Sequence, residues 1–169
     1  MCFIGIVTDT KSEGNLKKML KKNNILNKNK IIFIRENNIN NIKSICFDTI
    51  VINKKFNKVD ELNQILSNCK NLIINTDIDV ELDKLNVVNA NVITYGFNSK
   101  STITISSILE DEVLLCIQRN INSNYGKIEI QEFKIETEEV HNVYDLIIIA
   151  TLFLMYISSK NLIHINGIK

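Results

Sequence analysis

The chain contains no proline, and only five glycines and two histidines among its 169 residues. Without proline, a stiff Pro-rich linker is excluded, and no shift in composition marks a domain boundary. The histidines are His141 and His164. A zinc site needs clustered ligands, and these two stand far from each other and from any cysteine pair. The four cysteines, Cys2, Cys46, Cys69 and Cys116, include no Cys-x-x-Cys spacing. They read as reduced thiols, buried or half-buried, in a cytoplasmic protein rather than as disulfides. Charge of one sign is also missing. The formal net charge is +1, so no basic surplus points to nucleic acid and no acidic surplus to a solvating tail. The opening Cys2-Phe3-Ile4-Gly5-Ile6-Val7 is too short for a signal peptide and has no basic flank. The longest apolar run, Leu146 to Ile157, falls short of the roughly 20 residues that cross a bilayer. It reads as a buried helix.

What is present is an ordinary globular balance, with 45% apolar and 23% charged residues. A chain of this length buries roughly 70% of its unfolded surface, enough for one real core. Asn, Ile and Lys dominate, a bias of AT-rich coding rather than of structure.

Along the chain, apolar strands alternate with helices. Phe3–Val7, Ile31–Ile34, Phe47–Ile52, Leu72–Ile74 and Val92–Tyr95 read as buried strands. Leu16–Lys22, Val59–Leu66 and Val80–Leu85 carry helical spacing. The order predicts βαβ units and a mostly parallel, Rossmann-like or P-loop-type sheet flanked by helices. After Gly96 the period changes. Thr102–Leu109, Val113–Arg119 and Lys127–Ile135 alternate like half-exposed antiparallel strands, with Asn122–Gly126 as the turn between the last two. One long helix, Val140–Ser158, closes the pattern. A single domain over 1–169 follows, with a parallel part at 1–99, antiparallel strands at 100–139, a closing helix at 140–158 and a tail at 159–169.

Several segments, in order, resemble the central, ATP-binding domain of the Mur ligase family. They are Thr8-Asp9-Thr10-Lys11-Ser12-Glu13-Gly14-Asn15, Phe47–Asn53, Asn75-Thr76-Asp77, Thr94-Tyr95-Gly96 and His141-Asn142 ahead of an apolar helix. The resemblance spans Gly5 to about Ile157. It implies a phosphate-binding loop at Thr8–Asn15, where glycines bring backbone N–H groups to phosphate, a lysine meets its charge and a hydroxyl holds magnesium. This chain departs from that pattern. Asp9 and Ser12 replace the glycines, Glu13 the lysine and Gly14 the hydroxyl. Two unit charges about 4 Å apart interact by roughly 4 kcal/mol at an effective dielectric near 20, so Glu13 turns attraction into repulsion. Lys11 lies two places early. A plain strand-to-helix turn capped by Asp9, Thr10 or Ser12 explains the segment better. The family's magnesium-binding glutamate aligns with Phe33, with Glu36 just beyond, and its histidine after the third strand is lost at Asn57-Lys58-Val59-Asp60. The segment of its carbamoylated lysine is deleted. Lys70 reads as a solvated charge.

The residues that survive are Asn75, Asp77, Thr94, His141 and Asn142. Two have a structural reading as well: Asp77 as a helix cap and His141 as a helix-start residue. The domains that flank this one in a Mur ligase are missing from the chain, and with them the closure that acyl-phosphate chemistry needs. The resemblance therefore implies a pseudoenzyme without catalytic residues, cofactor or metal, linked to cell-wall or related ligase pathways. It would act by binding a protein partner or its own copy. Two alternatives stand beside it: a small-molecule module using the altered nucleotide cleft, and an ATPase or ligase subunit completed by another chain. Tail residues 161–169 carry four large apolar side chains, which predicts that the tail adds a strand to a sheet edge.

Overall fold

The computed structural model describes residues 2–25, 29–79, 81–110, 112–136 and 142–157. Strands β1 (Cys2–Val7), β2 (Asn29–Ile34), β3 (Thr49–Ile52), β4 (Asn71–Asn75), β5 (Asn91–Tyr95), β6 (Ile103–Ile108), β7 (Glu112–Ile117) and β10 (Gln131–Glu136) form one sheet. Its order is β10-β7-β6-β5-β4-β3-β1-β2. The strands from β2 to β6 pair in parallel, while β7 pairs antiparallel with both β6 and β10. The fold is α/β, as the alternation predicts. Apolar side chains on both faces of β1, β3 and β4 require cover on both sides. Helices α1 (Thr10–Lys22) and α4 (Val143–Tyr156) cover one face, and α2 (Ile39–Ile42) and α3 (Val59–Leu66) cover the other.

Helix α4 is buried from Asp145 to Tyr156. A helix apolar all round needs neighbours all round. The sheet lies beneath it and α1 beside it. A separate hairpin of β8 (Ile121–Ser123) and β9 (Gly126–Ile128) packs Ile121 and Ile128 into the same core. Tyr125 donates its hydroxyl to the Tyr156 carbonyl at 3.0 Å, fixing the hairpin to the helix end.

Several boundaries differ from the sequence reading. The predicted strand Lys127–Ile135 divides into β9 and β10, because the hairpin leaves the main sheet to cover α4. The predicted helix Val80–Leu85 is only a 3-10 turn at Leu82–Lys84, within residues 81–85, and Leu82 points into solvent at 53% exposure. Without an apolar stripe to bury, that segment gains nothing from a full helix. Helix α1 starts at Thr10, six residues before the predicted Leu16. Cys46 is exposed, in an irregular stretch after α2 and not in a strand, while Cys69 is buried and Cys116 half-buried; all four cysteines are free. No helix among the described residues is long and apolar enough to cross a membrane. His141 and the tail 161–169 lie outside the described residues.

Candidate functional site

In an open α/β sheet, ligands gather at the carboxyl ends of strands where the strand order reverses. Here the chain leaves β1 outward to β2 and returns to β3 on the other side. The reversal lies between β1 and β3. Thr8 and Asp9 follow β1, Asn53 and Lys54 follow β3, Asn75 ends β4 and Tyr95 ends β5. Each predicted residue that is described can be placed against this crevice.

The Thr8–Asn15 segment is not an open loop. Only Thr8 and Asp9 separate β1 from α1. Asp9 is the N-cap, its carboxylate accepting the Ser12 N–H at 2.8 Å. That backbone bond, with Lys54 at 3.2 Å, holds its carboxyl below the usual range. The helix N-terminus is thus neutralised by the chain's own carboxylate. Ser12 is buried and accepts a 3.4 Å bond from the Asn142 side-chain amide. Thr10 and Lys11 face solvent. Glu13 is buried at 6% exposure, bonded to Lys17 at 2.5 Å and to Arg35. Burial pushes the Glu13 carboxyl up, but the hydrogen bonds and charges of Lys17 and Arg35 outweigh it and hold it low. Glu13 is therefore a fixed anion that links α1 to the end of β2. Glu36 accepts both the Asn57 N–H at 3.0 Å and the Asn57 side-chain amide at 2.8 Å. Lys70 pairs with Asp48 at 3.0 Å.

A buried polar chain crosses the middle of the crevice. The Tyr95 hydroxyl donates to Asn53 Oδ1 at 2.7 Å, and the Asn75 amide reaches the same oxygen at 3.4 Å. Burial raises the Tyr95 hydroxyl well above its ordinary value. Asn75 Oδ1 accepts the Asp77 N–H at 2.9 Å. Asp77 in turn accepts the Phe97 N–H at 2.6 Å and the Tyr144 hydroxyl at 3.1 Å. Tyr144 packs edge-on to Phe97, with ring centroids 5.6 Å apart. Asp77 is thus a clasp between β4, the turn after β5 and α4, and not a helix cap. Thr94 is apart from this set. Its hydroxyl accepts the Thr102 N–H at 2.9 Å and ties β5 to the segment before β6. Asn142 caps α4, accepting the Tyr144 N–H at 3.0 Å.

Gly96 makes the Asp77 clasp possible. Its φ is +153°, and a Cβ there would lie 2.7 Å from both Asp77 carboxylate oxygens. Gly96→Ala is expected to lower stability by about 1–3 kcal/mol through strain and loss of that contact. Urea unfolding checks this, and an unchanged midpoint would mean that the turn relaxes freely.

Asp145 was not counted among the predicted site residues, although a carboxylate heading an apolar run was a visible signal. It is 1% exposed, and among the described residues neither carboxylate oxygen has a hydrogen-bond partner. Burial pushes its carboxyl up to about 7, with Asp9 adding to the rise. Lys54 and the amides of Asn15 and Asn142 oppose it, though no amide closes a bond of ordinary geometry. The Thr8 hydroxyl is likewise buried and without a partner among the described residues.

Outside this buried cluster the crevice opens into a shallow groove of about 390 Å³ between Asp9, Arg35, Glu36, Lys54 and Phe56. No group of three or more His, Cys, Asp or Glu side chains fit to hold a metal occurs among the described residues. No protein-family model matches this chain, and no curated protein matches it in sequence.

Proposed function

We propose that the chain is a non-catalytic domain resembling the Mur ligase central domain, and that it works by binding a protein partner or its own copy. One observation carries the reading. The segment that resembles the phosphate loop connects β1 to α1 through two residues, and its anion position is filled by Asp9 while Glu13 is buried among cations. A triphosphate would have to displace a cap, whose loss costs about 1 kcal/mol. It would also have to approach two fixed carboxylates. The expected result is no saturable heat when ATP and magnesium are titrated into the protein by calorimetry. Micromolar binding would sink the reading and favour a nucleotide-using subunit completed by another chain.

A second reading rests on Asp145 and Thr8, whose buried oxygens have no partner among the described residues, in a crevice that binds ligands in other α/β proteins. In it, the altered cleft takes a small molecule able to donate hydrogen bonds. The same calorimetry with adenosine separates the two, because adenosine carries no phosphate to be repelled.

A further inference from the structure

The sheet has two edges, and they are built differently. Strand β10 reads Gln131-Glu132-Phe133-Lys134-Ile135-Glu136, charged at every second position. Such charges guard an edge against pairing with other chains. Strand β2 reads Asn29-Lys30-Ile31-Ile32-Phe33-Ile34, with four apolar residues in a row and one charge. Its register with β1 runs unbroken from Asn29 to Ile34, so no bulge twists it away. Among the described residues, nothing pairs with its outer side. By the usual devices this edge is barely protected.

A groove of about 530 Å³ lies beside it. Half-buried Ile31 and Phe33 form its floor, and Lys17 and Lys21 of α1 overhang it with Arg35 at its end. The Lys17 ammonium stands 5.3 Å from the Phe33 ring centroid. Among the described residues, three cations face the groove against one carboxylate, Glu13, which Lys17 and Arg35 already hold. On the opposite face of the strand, Lys30 stands 5.7 Å from the Phe3 ring. The surroundings of the edge are therefore apolar beneath and positive above.

We infer that the outer edge of β2 is a strand-addition site for an extended acidic segment of a partner protein. Main-chain hydrogen bonds to β2 would supply the affinity, and alternate side chains the selectivity. A strand laid about 4.8 Å from β2 places every second side chain on the groove face, beside Ile31 and Phe33. Glutamates fit there. Their methylenes cover the apolar floor while their carboxylates meet Lys21, Lys17 and Arg35. The intervening side chains lie on the other face beside Ile32 and are apolar. The inference deepens the binding-domain reading and rests on it. The ATP titration tests that reading without touching β2, so the two can fail separately.

The test uses the full chain and a fluorescein-labelled peptide of alternating Glu and Val, about ten residues long. The expected result is saturable anisotropy, with amide exchange slowed at Asn29–Ile34. Lys21→Glu, an exposed substitution checked for an unchanged melting temperature, should weaken binding roughly tenfold. A peptide of alternating Lys and Val should not bind. Absence of saturation, protection outside β2, or equal binding of the basic peptide each overturns the inference. So does an edge whose amides are already protected in the free protein. Protection in a monomer by light scattering would mean that the chain's own end covers β2, and protection in a dimer that a second copy does.

Discussion

Leu152→Ala is expected to destabilise the protein by about 2–5 kcal/mol, as read from urea unfolding at neutral pH. Leu152 has no exposed surface, and its flanking residues Thr151 and Phe153 are also buried. Removing a large side chain there loses its transfer free energy and leaves a cavity. The surroundings cannot readily collapse into it, because three different elements would have to move: the sheet below, α1 alongside and the β8–β9 hairpin across. Tethers at the hairpin resist that movement. They are Tyr125 on the Tyr156 carbonyl and the Asn124 N–H on the Met155 carbonyl at 3.3 Å. A loss below about 0.5 kcal/mol, typical of surface sites, would show that this side of α4 faces outward, toward a partner or a membrane.

The helix itself was legible as buried because eleven of the twelve residues from Leu146 to Ile157 are apolar, leaving no polar face. Its cover was not. The hairpin that closes over it comes from a segment whose alternation looks like part of one longer strand. Only the turn at Asn124-Tyr125 and the break at Glu129-Ile130 divide it. The β-branched strands and the helix of α3 were legible for the same reason that they fold, since their apolar spacing matches the period of the element. Short α2 was missed. Its four residues, Ile39-Asn40-Asn41-Ile42, form a single turn too short for periodicity to register.

The site was legible in place more than in detail. Residues after strands β1 and β4 fall at the carboxyl edge whatever else they do, so Thr8, Ser12, Asn75 and Asp77 come close to the crevice. The partners of Glu13 were not legible, because Arg35 lies 22 residues away and meets it only when β2 pairs beside β1. Thr94 and Tyr95 show how strand alternation decides such matters. Successive side chains point to opposite faces, so Tyr95 joins the buried chain at Asn53 while Thr94 bonds Thr102. The sequence reading named the threonine, and it is the neighbouring buried tyrosine that bonds Asn53.

The unpartnered carboxyl of Asp145 gives the remaining large effect. Its value in the fold is about 7, against an ordinary 3.8. Burial favours the protonated form, so the folded protein binds the proton more tightly than the unfolded chain does. The stability that this proton contributes is complete below about pH 4 and is lost as pH rises through about 7. Each unit is worth about 1.4 kcal/mol, so the loss across the window amounts to roughly 4 kcal/mol. Asp9 and Glu13, whose carboxyls are held low, slope the other way and lose stability as pH falls. A pH profile of the natural protein alone therefore mixes opposite trends. The difference between it and Asp145→Asn separates them, because the amide keeps the shape and cannot ionise. Near pH 4 the two proteins should unfold at similar urea concentrations. Near pH 8 the variant should be the more stable by roughly 3–4 kcal/mol. Parallel profiles would show that Asp145 is ionised at both ends of the range, its charge balanced by Lys54 or by a bound cation.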